Sequence, residues 1–274
     1  MGERVRIDEG LVFGTGGGRE LRCDRYTPPG DPEGAPAVLL LHGGAWRSGD
    51  RTQLRGYGIR LGMAGYVCVA AEYRLAAEAP WPAQIEDVKA SIRWLRATAR
   101  EHGVDPERIV AQGNSAGGHL ALLAAGTPGL ADFEGTGGHP GVPTDVAAAV
   151  AIYAPTRLPR VPTDLFATPA QLERRADGGE VEEAARLASP VTHVAGDFPP
   201  TLLIHGDADE VVPVEASLQL HRALREAGVP VELHVYPEQP HAFDAQPDFG
   251  RRCAAEMAFF LDRYVGAHAA TTSA

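Results

Sequence analysis

Short apolar runs recur along the chain, separated by longer stretches with a helical repeat. Ala37–Leu41 is apolar throughout, the pattern of a strand buried on both faces. Tyr66–Ala70, Arg108–Gln112, Val146–Tyr153, Thr201–Ile204 and Val231–Tyr236 are predicted to be further strands. Between them, Gln84–His102 places Ile85, Val88, Ile92 and Leu95 at three- and four-residue steps, the stripe of an amphipathic helix that Gly103 ends. Gln53–Ala64, Gly118–Ala125, Pro213–Ala227 and Phe249–Val265 are predicted helices, the first stopped by Gly65 and the third by Gly228. Ahead of all these, Arg4–Phe13 and Leu21–Tyr26 form a strand pair across Gly14–Gly18. No helix follows those glycines, so they read as a hairpin turn and not as a phosphate cradle. Thr27–Pro32 is a connector.

The loop over residues 126–144 is polar and glycine-rich. Residues 155–196 form a proline-rich excursion with two short helical pieces, Pro169–Ala176 and Val181–Leu187, placed as a small lid would be. Residues 266–274 read as a flexible tail. Residues 1–265 then make one α/β domain, a mostly parallel sheet covered by helices on both faces. In such sheets ligands bind beyond the carboxyl ends of the strands.

Composition narrows the partners. Across 274 residues, 25 Lys and Arg face 36 Asp and Glu, a net charge of -11 that disfavours nucleic acid and anionic membrane surfaces. The charged stretch Met1–Glu9 has no apolar signal core, and no run is long enough to cross a bilayer. Cys23, Cys68 and Cys253 are odd in number and far apart, which fits free thiols in a reducing cytoplasm and neither a disulfide framework nor a zinc site. No metal or cofactor is expected; the partner is a small molecule.

The candidate chemistry centres on Gly113-Asn114-Ser115-Ala116-Gly117, between a predicted strand and a predicted helix. That context makes G-x-S-x-G a nucleophile elbow, a turn so sharp that the flanking glycines must lack side chains. A serine hydroxyl needs a base, and the base needs a carboxylate that fixes its tautomer. In this kind of fold the order is Ser, then Asp or Glu, then His. Of ten histidines, His42, His119, His205, His221 and His234 lie before the acid, on helices or in a strand, whereas His241 lies in the loop after the last strand. Asp207, Asp209 and Glu210 all follow one strand; Asp209 lies far enough out to be aimed at His241, and Asp207 stays open as the alternative. A metal set of His205, Asp207, Asp209 and His241 lacks the spacing of known motifs. The Ala116 N–H follows the nucleophile at a helix start, and further oxyanion donors are expected from the glycine loop His42–Trp46. Trp46 and Trp81 are candidates for the wall of the substrate pocket.

Taken as an ordered set, these stretches resemble α/β-hydrolases of the hormone-sensitive-lipase-like and acetylxylan/feruloyl-esterase-like group. His42-Gly43-Gly44-Ala45-Trp46 resembles the HGGG loop of that group, Glu72–Ala83 its DYRLAPEHPFPA segment, and Gly113–Gly118 its GDSAGG elbow. His205–Asp209 resembles its acid loop and His241 its last histidine. The resemblance implies a serine carboxylesterase for short acyl esters, with Ser115, Asp209 and His241 as the triad and Gly44, Ala45 and Ala116 as oxyanion donors. It also implies alternatives: an acetyl or feruloyl esterase on acylated sugars, or an arylformamidase acting on N-formylkynurenine. A binding protein on a hydrolase fold is the non-enzyme alternative. Ala45 replaces the third glycine of HGGG, Glu72 the Asp of DYRL and Ala77 the Pro of that segment. Strands begin by Val5, so the resemblance is to members with a small cap or none.

Overall fold

The computed structural model describes residues 4–30, 32–158 and 179–266. The chain opens with β1 (Arg6–Gly16) and β2 (Arg19–Thr27), antiparallel about Gly17 and Gly18, whose φ of 58° and 85° suit glycine. The turn is therefore tighter than the glycine run predicted, because β1 extends through Gly16. Next come β3 (Ala35–Leu41), α1 (Arg55–Met63), β4 (Val67–Ala71), α2 (Ala83–Ala97), β5 (Val104–Asn114), α3 (Ala116–Gly126) and α4 (Ala131–Glu134). They are followed by β6 (Ala148–Ile152), α5 (Gly179–Leu187), β7 (Thr201–Gly206), α6 (Glu215–Glu226), β8 (Val231–Tyr236) and α7 (Pro247–Tyr264).

Eight strands form one sheet in the order β1-β2-β4-β3-β5-β6-β7-β8. The first two pairings are antiparallel and the rest parallel. Period-two alternation explains the apolar runs. Ala37, Leu39 and Leu41 enter one core with Ile85, Leu120 and Leu220 of α2, α3 and α6. Val38 and Leu40 enter the other with Leu61 of α1 and Met257 and Phe260 of α7. Leu39, Leu40 and Leu41 have no exposed surface, and each such burial contributes about 2 kcal/mol before the entropy of ordering is set against it.

The order in which successive strands join the sheet reverses at the β3/β5 boundary, with β4 on one side and β6 on the other. That opens a crevice at the carboxyl ends of β3 and β5. Leu41 pairs with Gly113, and Asn114 with Ile152. The loops leaving β3, β5 and β6 therefore emerge side by side.

Several boundaries differ from the sequence reading. The helix placed over Gln53–Ala64 is a 3-10 turn, Arg51–Leu54, followed by α1, with Asp50 capping Thr52 N–H at 2.7 Å. The helix placed over Gln84–His102 ends at Ala97, where Thr98 Oγ1 bonds the Trp94 carbonyl at 2.7 Å; a 3-10 turn, Ala99–His102, and left-handed Gly103 complete it. β5 starts at Val104, with an irregular stretch before Ile109. The loop over residues 126–144 contains α4. Of the excursion, Val181–Leu187 falls in α5, while Pro169–Ala176 lies outside the described residues, as does the tail beyond Gly266. No helix among the described residues is long and apolar enough to cross a membrane. The three cysteines are buried and unpaired.

Candidate active site

Ser115 sits between β5 and α3 at φ 52° and ψ −119°, a backbone conformation that costs a non-glycine residue about 1–3 kcal/mol. Its N–H donates to the Ile152 carbonyl at 2.9 Å, and its carbonyl takes His119 N–H at 2.9 Å. The chain folds so sharply that a Cβ on Gly113 would lie 2.2 Å from the Gly117 carbonyl carbon. A Cβ on Gly117 would lie 2.0 Å from the Leu41 oxygen. Glycine is required at both positions for steric reasons. Ala116 opens α3, where backbone N–H groups lack partners within the helix.

His241 follows β8. Its Nε2 lies 2.9 Å from Ser115 Oγ and its Nδ1 lies 2.6 Å from Asp209 Oδ2. With the proton on Nδ1 donated to Asp209, Nε2 can accept the serine proton. Asp209 is aimed by its own loop, because Oδ1 accepts N–H bonds from Val211 and Val212 at 2.8 Å each. His205 Nε2 stands 3.4 Å from Asp209 Oδ2 and 2.8 Å from the Val212 carbonyl, and burial lowers its pKa. Asp207 is used differently: Oδ1 accepts Glu238 N–H at 2.6 Å and anchors the loop that carries His241. Asp207 N–H to Tyr236 O and Ala208 N–H to Gln239 O, both 3.1 Å, fasten the same two loops.

The loop after β3 supplies the opposite wall. The His42 ring stacks on Tyr73 at 4.3 Å, and the Tyr73 hydroxyl donates to the His42 carbonyl at 2.8 Å. Burial lowers the pKa of His42, so the stacked ring is neutral at pH 7. Gly44 has φ 115°, and a Cβ there would meet the Ser48 carbonyl oxygen at 2.1 Å. Its own carbonyl accepts from Arg47 N–H and Ser48 N–H at 3.0 Å each, closing a tight turn. Ala45 follows at φ 51°, accepting backbone strain where HGGG would have glycine. Gly44, Ala45, Ser115 and His241 share a cleft of about 770 Å³ with Leu54, Tyr57, Val211 and Pro247 in its walls.

Trp46 and Trp81 are not among the residues lining that cleft. Both pack on His119 instead, with ring centroids at 5.1 and 6.0 Å, and Trp81 also sets its edge against Phe133. The large apolar area of an indole is met there by other rings. His119 is buried, donates Nε2–H to the Ala188 carbonyl at 2.7 Å, and has its pKa pushed down to about 4 by burial. Four residues beside the cleft were not read from the sequence: Tyr57, Asn114, Tyr153 and Asp244. Burial first, and the neighbouring Asp244 second, raise the pKa of both tyrosines. The available signal was Asn114, an amide where GDSAGG has a carboxylate. Among the described residues no group of three potential metal ligands is gathered.

The chain is similar to esterases of known sequence and structure. The probable carboxylic ester hydrolase LipM of Mycobacterium tuberculosis is 34% identical over 246 residues, 88% of this chain and 56% of that protein. Esterase LipQ of the same organism is 32% identical, over 88% of this chain and 58% of its own length. The chain thus spans little more than half the length of these relatives. Among solved structures, Thermogutta terrifontis esterase 2 phosphorylated by paraoxon superposes with a TM-score of 0.81 at 26% identity, covering 96% of this chain and 95% of that one. A truncated carbohydrate esterase from gut microbiota gives 0.79 at 26% identity, covering 96% and 97%. The BD-FAE family profile matches residues 23–224, and the chain belongs to that family, with the α/β-hydrolase fold.

Proposed function

We propose that this protein is a serine carboxylesterase that hydrolyses short-chain acyl esters through an acyl-enzyme intermediate. The observation that carries the reading is the unbroken relay from Ser115 Oγ to His241 to Asp209, at 2.9 and 2.6 Å. Ser115 Oγ attacks the ester carbonyl as His241 Nε2 takes its proton. Charge developing on the carbonyl oxygen is met by the N–H groups of Gly44, Ala45 and Ala116, and loss of such a donor costs about 3 kcal/mol of activation energy in other enzymes. His241 then returns the proton to the departing alcohol. Water, deprotonated by His241, attacks the acyl carbon, and the acid leaves as Ser115 regains its proton. Asp209 fixes the imidazole tautomer and stabilises the imidazolium throughout.

Residues 1–265 act as one domain in this reading, and the buried, unpaired thiols support a cytoplasmic setting. Esters of sugars are a second substrate class. The likeness to a carbohydrate esterase favours it, as do the polar groups of Ser48, Gln53 and Arg60 along the cleft. A panel of p-nitrophenyl acetate, butyrate and long-chain esters, acetylated and feruloylated sugars, and N-formylkynurenine tests the reading. Short acyl esters are expected to turn over fastest. Ser115→Ala is expected to lower kcat by about 10^6 while the protein stays folded. Full turnover by that variant would move the nucleophile elsewhere.

A further inference from the structure

Asp244 lies three residues beyond His241 and forms part of the cleft wall. It gathers side chains from three other parts of the fold. Oδ2 accepts from the Tyr57 hydroxyl of α1 at 2.8 Å and from Asn114 Nδ2, at the end of β5, at 2.6 Å. Oδ1 accepts from the Tyr153 hydroxyl, just beyond β6. Asn114 Nδ2 also lies 2.9 Å from that hydroxyl, and Asn114 Oδ1 accepts from Gln112 Nε2 at 2.8 Å. All three donors to Asp244 are neutral groups.

A carboxylate only accepts, so it permits one orientation of each neighbour. Asn114 must turn its NH2 toward Asp244 and its carbonyl toward Gln112, and both phenols must point inward. Two of the three residues held this way flank the reacting atoms. Asn114 precedes Ser115 at the strained turn, and the Tyr153 ring lies 4.6 Å from the ring of His241. Asp244 itself shares a loop with His241. One side chain therefore ties the nucleophile's turn to the ring beside the base and to the segment that carries the base.

We propose that Asp244 is a positioning residue of the hydrolytic centre: by holding Asn114 and Tyr153 it keeps Ser115 Oγ and His241 Nε2 within bonding distance. The proposal rests on the esterase reading. In this chain the elbow residue is the amide and its partner the carboxylate, so exchanging them tests the pair. The variants are Asp244→Ala, Asp244→Asn, Asn114→Asp and the exchange Asn114→Asp with Asp244→Asn. Each is assayed well below its melting temperature for kcat and KM on p-nitrophenyl acetate and for the rate of Ser115 labelling by a fluorophosphonate.

Asp244→Ala is expected to lower kcat and the labelling rate by about 10- to 100-fold, the effect of slight misplacement, with KM within about threefold. If the alanine variant does not fold, the near-isosteric Asp244→Asn gives the same readout. Asn114→Asp, which sets two carboxylates in contact, is expected to slow both rates as well. The exchange is expected to be faster than either single asparagine or aspartate variant, a coupling that independent sites would not give. Wild-type kcat and labelling rate in the Asp244 variants, with only the melting temperature lowered, would overturn the proposal. So would an exchange whose loss is the product of the two single losses. A wild-type protein that neither labels nor hydrolyses any ester would instead overturn the esterase reading itself.

Discussion

Two aspartates leave β7 two residues apart, and their hydrogen bonds separate their uses. Asp209 has one oxygen fixed by two backbone N–H groups and the other against His241, whereas Asp207 accepts from Glu238 N–H in the neighbouring loop. Asp209→Asn would present an amide to the imidazole and favour the wrong tautomer. It is expected to cost about 10^4 in kcat, and Asp207→Asn less than about tenfold, by steady-state kinetics. Equal losses would assign the acid wrongly. Ala45 offers a test of opposite sign. At φ 51° its methyl group is strained, so Ala45→Gly is expected to raise stability in urea by about 1 kcal/mol with little change in kcat. Gly44→Ala, by contrast, would drive a methyl into the Ser48 carbonyl and should abolish activity. The meeting of Ser115, His241 and Asp209 was legible in the sequence because the proposed chemistry dictates residue type and order. Tyr57, Asn114, Tyr153 and Asp244 were not, because a hydrogen bond between positions 57 and 244 leaves no local pattern. An indole near a strand end reads alike in a pocket wall and in a packed ring cluster, and Trp46 and Trp81 pack on His119.

At the level of elements, β3, β4 and β6 were legible because burial on both faces demands apolar residues along the strand. Helix ends were less so. Residues 97–102 hold no Gly or Pro to mark an end before Gly103, so the switch from α2 to a 3-10 turn at Ala99–His102 left no sign in the sequence. Lys89 and Arg93 of α2 carry full charges, yet both are buried in the structure. Lys89 Nζ donates to the Thr127 carbonyl and, at 2.8 Å, to Glu134 Oε1. Arg93 donates to Glu134 Oε2 at 2.9 Å and to the Gly137 carbonyl at 2.7 Å. Together they latch α4 and its flanking loops onto α2. Burial pulls the pKa of Lys89 down, against the pull of Glu134. Lys89→Met removes one donor from the Thr127 carbonyl, which keeps Leu130 N–H at 3.2 Å, and one from Glu134 Oε1, which keeps Gly129 N–H at 2.9 Å and Thr144 Oγ1 at 2.7 Å. It is expected to cost about 2 kcal/mol in urea unfolding, the worth of a hydrogen bond to a charged group, while kcat stays near wild type, since none of these groups reaches the cleft. Unchanged stability would mean that the latch contributes nothing net.

For the molecule as a whole, buried neutral histidines set how stability responds to acid. His42, His119 and His205 are each held below the ordinary imidazole pKa, chiefly by burial, His119 down to about 4. The unfolded chain takes up protons near pH 6.5 that the native state refuses. Stability is therefore expected to fall as pH drops from about 6.5 toward 4, by about 3 kcal/mol from His119 alone. Glu134, whose pKa is lowered by Lys89 and Thr144 despite burial, adds a further loss below its unfolded value. Asp87 opposes this, because burial raises its pKa beyond what its bonds to Arg74 offset; its contribution is fullest at the acid end. Between pH 6.5 and 5 the histidines therefore govern the slope. Unfolding free energies by urea at pH 7, 6, 5 and 4.5 should decline, and His119→Gln should flatten that decline by up to about 1.4 kcal/mol per pH unit, the share of one proton. Parallel curves for the two proteins would show that His119 takes up its proton in the native state, in contact with Trp46 and Trp81, and that its burial does not keep it neutral.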